Sequence, residues 1–128
     1  MMNKSLLIGR LTAKPELNKT ASKKSVVRFR IAVNRIFKNT DGEREADFIS
    51  VVIWGKPAEL FTSYADKGSL VSIEGELRSS RYDDKEGVTH YVTEVLCQQF
   101  NLLESKAAVA LRENNVVSSA DDVETLPF

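Results

Sequence analysis

The fold is decided near the middle of the chain by residues 45–57, which run Glu-Ala-Asp-Phe-Ile-Ser-Val-Val-Ile-Trp-Gly-Lys-Pro. Successive side chains of a β-strand point to opposite faces. One face of this segment is continuously apolar and suited to burial, with Ile49, Val51 and Ile53. The other face carries Phe48, Ser50, Val52 and Trp54. The segment therefore predicts a half-buried strand with two aromatic rings directed outward.

Apolar content and alternation predict five strands, at about residues 4–11, 26–34, 46–54, 69–78 and 88–96. In the second, Arg28 and Arg30 alternate with Phe29 and Ile31. Residues 55–68 predict a helix, because Pro57 near the start and Gly68 past the end are typical helix boundaries. Five strands with one helix between the third and the fourth is the order of an OB-fold barrel. We therefore expect an all-β fold with one short helix over residues 1–104.

Polar turn sequences at residues 39–42 and 83–87 predict two protruding hairpins. Beyond residue 104 the chain changes character. Residues 106–113 have the composition of a helical turn or two, and an isolated helix of that length is marginal in water. From Asn114 onward there is no periodicity. We interpret residues 105–128 as a disordered tail that ends in acidic residues and Leu-Pro-Phe.

Length and composition restrict the class of protein. The chain has 128 residues and 42% hydrophobic content, enough for one core. It contains no apolar run of roughly 20 residues and no hydrophobic signal segment, so we expect a soluble, cytoplasmic protein without a membrane partner. Cys97 is the sole cysteine and His90 the sole histidine. We interpret Cys97 as a semi-buried thiol, and neither a disulfide, a zinc site nor a cofactor is predicted.

The formal net charge of zero conceals a division along the chain. Residues 105–128 hold two basic and four acidic side chains, a net charge of −2, which leaves 16 basic and 14 acidic side chains and a charge of +2 for residues 1–104. A mildly basic body with an acidic tail is compatible with a nucleic-acid partner.

Aromatic rings and cations recur together along the chain. Phe37 and Tyr82 adjoin the predicted hairpin turns, where a ring cannot easily reach the barrel interior. Together with Phe48 and Trp54 they form a predicted stacking surface for single-stranded nucleic acid. The basic residues nearest these rings are the first candidates for phosphate contact: Arg35, Arg78 and Arg81. Five others are second candidates: Lys4, Arg10, Arg30, Lys38 and Lys56. Phe29, Phe61 and Phe100 are assigned to the core.

Catalysis is not predicted. Four carboxylates, those of Asp41, Glu43, Glu45 and Asp47, raise the alternative of a two-metal nuclease. No histidine or second acidic cluster accompanies them in the sequence, so a solvated hairpin arm is the favoured interpretation. No serine or cysteine has a recognisable base to activate it.

Several segments closely resemble the bacterial single-stranded DNA-binding protein family. They are residues 2–4, 8–11, 15–16, 31–34, 48–56, 67–69, 73–78 and 91–95. The resemblance covers residues 1–104 almost without gaps. It implies an OB fold, a homotetramer, and DNA stacking on Phe37, Phe48, Trp54 and Tyr82. Three of these sites are often tryptophan or phenylalanine in the family, and Phe37 and Tyr82 are departures in ring size.

The end of the chain resembles the acidic C-terminal tip of that family. The tip implies binding of replication, repair and recombination proteins through Asp121, Asp122, Glu124, Leu126, Pro127 and Phe128. The short linker before it resembles the shorter paralogues of some Gram-positive bacteria, which are often linked to DNA uptake. Two alternatives stay open, an OB-fold RNA-binding protein and a primosome accessory protein, because stacking does not separate DNA from RNA.

Overall fold

A computed structural model describes residues 1–104. In chain order the elements are β1 (Ser5–Leu11), β2 (Leu17–Lys19), β3 (Ser25–Lys38), β4 (Arg44–Trp54), α1 (Lys56–Tyr64), β5 (Leu70–Asp83) and β6 (Thr89–Leu102). The predicted tail at residues 105–128, with its helical turn at 106–113, lies outside the described residues. The five predicted strands and the helix are confirmed.

The sheet closes on itself. Its order is β1-β5-β6-β4-β3-β2, and an additional pairing joins β1 to β3 through Arg10 opposite Ala32 and Leu11 opposite Ile31. Five strands therefore form a closed barrel of the OB type. All neighbours are antiparallel except β4 and β6, which run parallel with Val51 opposite Val95. The short β2 pairs with β3 outside this ring, and the sequence did not predict it.

The core fills the barrel interior and is closed at one end by α1. Phe61 of the helix is fully buried and stacks on Phe29, with ring centroids 4.5 Å apart. Phe100 meets Phe61 edge to face at 5.0 Å. The core assignment of these three rings is confirmed. The helix starts after Gly55, whose φ of 77° is a left-handed conformation that glycine adopts without strain.

A close approach of β5 to β6 explains one glycine inside a strand. A Cβ built on Gly75 would lie 2.1 Å from the carbonyl oxygen of Leu96. The register of β5 against β6 shifts at Glu74 and Gly75, as at a β-bulge, which bends and twists a strand. This bulge separates the barrel part of β5 from its distal part.

Two long hairpin arms extend from the barrel. β3 continues to Lys38 and β5 to Asp83, well beyond the predicted ends of these strands. The two turns are built alike. Asn39 Oδ1 accepts hydrogen bonds from the amides of Asp41 and Glu43, and Asp84 Oδ1 accepts them from Glu86 and Val88. The predicted hairpins are thus confirmed, and both are longer than the apolar alternation indicated.

The described residues contain no helix that is long and apolar enough to cross a membrane.

Candidate nucleic-acid interface

The outward face of β3 and β4 carries rings at both ends and guanidinium groups between them. Phe48 lies opposite Ala32 and Trp54 opposite Val26, whereas Arg28 and Arg30 of β3 face Val52 and Ser50. Phe48 is 58% exposed and Trp54 40% exposed. The outward direction predicted for both rings is therefore confirmed. The guanidinium carbon of Arg30 lies 5.8 Å from the centre of the Phe48 ring, within cation–π range.

Val52 differs from the sequence prediction in its exposure. It lies on the outward face as expected, yet it is only 2% exposed. Its register neighbours are Arg28 on β3 and Leu96 on β6, and these longer side chains flank it on both sides. The outward face therefore has an apolar floor between its two rings.

The β5–β6 arm provides the second wall of a groove over this face. Glu94 of β6 reaches across β4 to Arg28, with 3.6 Å between its Oε2 and the Arg28 Nε. The groove has a volume of about 370 Å³. Its lining combines two cations, two hydroxyls, one carboxylate and two apolar side chains: Arg28, Phe29, Arg30, Ser50, Ser80, Val92 and Glu94. Four strands thus contribute to one concave, open surface.

Tyr82 lies near the end of the same arm and is 55% exposed. Its cross-strand partner is His90, and Ser80 on the same face pairs with Val92. Strand alternation therefore puts Tyr82 on the side of the arm that lines the groove. Arg78 is on that side too, where its guanidinium forms an ion pair with Glu76. Three of the four predicted stacking rings, Phe48, Trp54 and Tyr82, thus lie on the strand faces that form the groove.

Phe37 is 83% exposed, in the distal part of the β3–β4 arm. The register shifts between Asn34 and Lys38, so three residues of β3 are accommodated opposite one residue of β4. Lys38 is exposed beside Phe37 and pairs with Arg44 across the arm. Phe37 and Lys38 therefore extend the exposed surface beyond the barrel.

Two arginines predicted beside rings lie on the other side of their arms. Arg35 binds Asp47 and Glu45, with Nη–oxygen distances of 2.8 and 2.9 Å. Asp47 alternates with Phe48 and so occupies the opposite face of β4. Arg81 alternates with Tyr82 and pairs with Tyr91. Arg81 and Tyr82 are neighbours in sequence but lie on opposite faces, and Arg35, two residues before Phe37, is bound to carboxylates; the sequence prediction overlooked both features.

The Arg35 ion pairs also shift pKa values. The hydrogen bond from Arg35 lowers the pKa of Asp47 below its usual range, and the same hydrogen bond, with the charges of Asp47 and Glu45, raises the pKa of Arg35. Two of the four carboxylates that suggested the nuclease alternative, Glu45 and Asp47, therefore form ion pairs with Arg35. Among the described residues no group of three histidine, cysteine, aspartate or glutamate side chains is placed to hold a metal ion.

The remaining predicted cations lie away from the groove. Lys4 forms an ion pair with Glu74. Arg10 is half-buried, pairs with Glu104 and donates to the Gly68 carbonyl oxygen at 3.1 Å. Lys56 is exposed at the start of α1, directly after Trp54 and Gly55. Of these three side chains, Lys56 is therefore the nearest to a ring along the chain.

Cys97 is half-buried, as predicted, and burial raises the pKa of its thiol to about 11. A thiol with a raised pKa is a poor nucleophile.

Two residues on the groove side, Arg28 and His90, were not selected from the sequence as candidate contacts. Alternation with Phe29 was a sufficient signal for Arg28. The placement of His90 required the register of β5 against β6, which no single strand reveals.

Comparison with known proteins gives a consistent result. Residues 2–103 match the model of the single-strand binding protein family. The chain is 64% identical over 132 residues, covering both proteins fully, to single-stranded DNA-binding protein 1 of Streptococcus pyogenes serotype M6. It is 58% identical, again over the full length of both, to single-stranded DNA-binding protein 2 of Streptococcus agalactiae serotype V. The same strain has a protein 1 that is 49% identical over 107 residues, which is 84% of this chain and 66% of that protein.

Proposed function

Because the chain belongs to the single-strand binding protein family, a family of binding proteins rather than enzymes, we propose that it binds and protects single-stranded DNA. The strand crosses the outward face of β3 and β4 and enters the groove under the β5–β6 arm. The observation that carries this proposal is the arrangement of Phe48, Trp54 and Tyr82 on one side, with Arg28 and Arg30 between the first two.

Stacking supplies the contact with the bases. Each exposed ring offers a π-face on which any base can stack, which contributes about 1–3 kcal/mol per base. Phe37 adds a fourth ring in the distal part of the β3–β4 arm, so that a strand following the outward face passes from the barrel onto both arms. Stacked bases are unavailable for annealing, and a covered strand is shielded from nucleases.

Cations supply the contact with phosphates. Arg28, Arg30 and Arg78 share the side of the stacking rings, and we assign them the main electrostatic role. Lys38 and Lys56 lie near Phe37 and Trp54 along the chain and contribute at the two ends of the path. Four others have weaker support because they lie away from the stacking rings, either on the other side of an arm or away from the groove: Arg35, Arg81, Lys4 and Arg10.

The experiment that tests DNA as the ligand is competition between poly-dT and poly-U of equal length. We expect poly-dT to bind more tightly and poly-U to compete weakly. Preference for poly-U would favour the OB-fold RNA-binding alternative. Absence of binding to either polymer would favour an accessory protein, as in a primosome, that meets nucleic acid only through partners.

A homotetramer is the assembly that we propose. Its support within the barrel is an apolar surface on β1, where Leu6 and Ile8 are exposed on the outer side. Exposed apolar strands are typical of surfaces that are covered by another subunit. Light scattering at micromolar concentration should give four chains. A clean monomer would contradict the proposal, and Leu6→Glu should lower the assembly state if β1 lies at the interface.

We also propose that the division of the chain follows residue 104, with the DNA-binding barrel before it and a partner-binding tail after it. The tip is residues 121–128, outside the described part of the chain. Its acidic groups and terminal Leu-Pro-Phe suit an apolar pocket rimmed by Lys or Arg on replication, repair or recombination proteins. Deleting residues 121–128 should abolish partner capture and leave DNA affinity equal or slightly higher at low salt.

The cellular setting that we propose is the cytoplasm, at the nucleoid, where single-stranded DNA arises. The serotype V strain of Streptococcus agalactiae has one relative matched over its full length and another matched over 66% of its length. This supports assignment to the shorter type of paralogue, for which DNA uptake in competence is the candidate role. Comparing transformation frequency and growth rate in a deletion strain distinguishes that role from housekeeping replication.

A further inference from the structure

Three side chains interact near the end of the β5–β6 arm. Tyr82 and His90 are directly opposite in the strand register. Their rings are stacked, with centroids 5.1 Å apart and 21° between the planes. The His90 Nε2 lies 2.7 Å from Asp84 Oδ2. The histidine is thus held on one side by a stacking ring and at its edge by a carboxylate.

Asp84 is itself fixed by the turn. Its Oδ1 accepts hydrogen bonds from the amides of Glu86 and Val88, both at 2.9 Å. The hydrogen bond from His90 is the main cause that lowers the pKa of Asp84, and the turn amides act in the same direction. The carboxylate therefore stays ionised across the range between about pH 5 and 8 in which histidine changes its charge. An ionised carboxylate only accepts hydrogen bonds, so Nε2 carries the proton.

We propose that His90 is a nucleic-acid contact that strengthens binding of single-stranded DNA as the pH falls. The inference rests on the proposed function of the outward face and adds one residue and a pH dependence to it. His90 lies on the same side of the arm as Tyr82, Ser80 and Arg78. Its ring enlarges the stacking surface of Tyr82, and its protonated form brings a cation to the phosphates.

The direction of the pH effect follows from charge. A DNA phosphate near His90 favours the protonated ring, so binding takes up protons and becomes tighter at lower pH.

Three other charged groups belong to the turn: Asp83, Lys85 and Glu86. Asp83 is bound to Thr89 at 2.8 Å, and Glu86 and Lys85 lie in the turn itself. Lys85 is the cation of this group, and Asp83, Asp84 and Glu86 are its carboxylates.

The test compares the wild type with His90→Phe. Phenylalanine keeps a ring for stacking on Tyr82 but has no proton to exchange. Affinity for a dT oligomer is measured at pH 5.5, 7.0 and 8.5 at constant low ionic strength. Between the highest and lowest pH, the wild type should gain about two- to fivefold more affinity than the variant, the range expected for an exposed charge contact.

Salt dependence gives a second readout of the same contact. In the wild type the slope of log affinity against log salt should be steeper at pH 5.5 than at pH 8.5 by about 0.7, the value for one added phosphate contact on a single strand. In His90→Phe the two slopes should agree more closely. Equal pH profiles in both proteins would overturn the role of His90, whereas failure of both to bind DNA at every pH would overturn the proposed function instead.

Asp84→Asn tests the carboxylate separately. Asparagine keeps an Oδ1 acceptor for the Glu86 and Val88 amides, so the turn is preserved, and thermal unfolding checks this. Without the negative charge the imidazolium loses its partner. The rise in DNA affinity should therefore move to lower pH than in the wild type. If the rise in DNA affinity occurs at the same pH in Asp84→Asn as in the wild type, Asp84 has no part in the pH dependence.

Discussion

The two faces of the β3–β4 hairpin use arginine in different ways. On the outward face Arg30 lies over the Phe48 ring, at the edge of the groove. On the opposite face Arg35 is bound to Asp47 and Glu45. Arg30 contacts a ring on the neighbouring strand, whereas Arg35, two residues before Phe37, contacts two carboxylates. Strand alternation, rather than distance along the chain, therefore decides which cations accompany the stacking rings.

The largest effect should come from the outward rings. Trp54→Ala should lower affinity for single-stranded DNA by about 1–3 kcal/mol, because one stacked base loses its partner. Tyr91→Ala is the matched control on the other side of an arm and should have little effect. Equilibrium titration with a dT oligomer measures both, and thermal unfolding verifies that each variant is folded. Equal losses in the two variants would remove the distinction between the faces.

A smaller effect is expected from the two arginines. Arg30→Ala should lower DNA affinity by about 0.5–1 kcal/mol through the lost cation and its ring contact. It should also make the salt slope shallower by about 0.7. Arg35→Ala should leave that slope nearly unchanged, since its charge is already matched by two carboxylates. A larger change in slope for Arg35→Ala than for Arg30→Ala would reverse the proposed roles.

The smallest effect concerns stability of the opposite face. The lowered pKa of Asp47 means that the Arg35 ion pair stabilises the fold above the ordinary carboxyl range, about pH 4. This contribution is lost as the pH falls through the lowered pKa of the folded protein. Asp47→Asn should therefore unfold at a slightly lower temperature than the wild type at pH 7, and the difference should vanish in strong acid. A difference that persists in acid would show that the charge is not its cause.

The alternation of apolar and polar residues predicted the barrel strands, because each of the five strands buries one face in the barrel interior. Val27, Ile31 and Val51, for example, are fully buried. The short β2 has only three residues, too few to show a period. The distal parts of β3 and β5 were missed because both faces of an arm are solvated, so no apolar pattern marks them. The end of β6 at residues 97–102 was also missed, although Phe100 and Leu102 in it pack against the core.

Residues of the candidate site were predictable where the pattern within a single strand sets the direction of the side chain. Phe48 and Trp54 follow from the burial of their neighbours in the same strand. Arg28 was available from the same argument, since it alternates with Phe29. The contact of Tyr82 with His90 was not, because cross-strand partners depend on the register that the turn at residues 83–87 imposes. The ion pairs of Arg35 likewise required a register across β3 and β4.

The most direct test of the proposed DNA path is the fluorescence of Trp54 during titration with dT oligomers of increasing length. Trp54 is the only tryptophan in the chain, so the signal reports the outward face alone. We predict quenching that saturates, with an affinity that increases with oligomer length until the path over barrel and arms is filled. Tight DNA binding that leaves the Trp54 emission unchanged would contradict the assignment of this face as the DNA-binding surface.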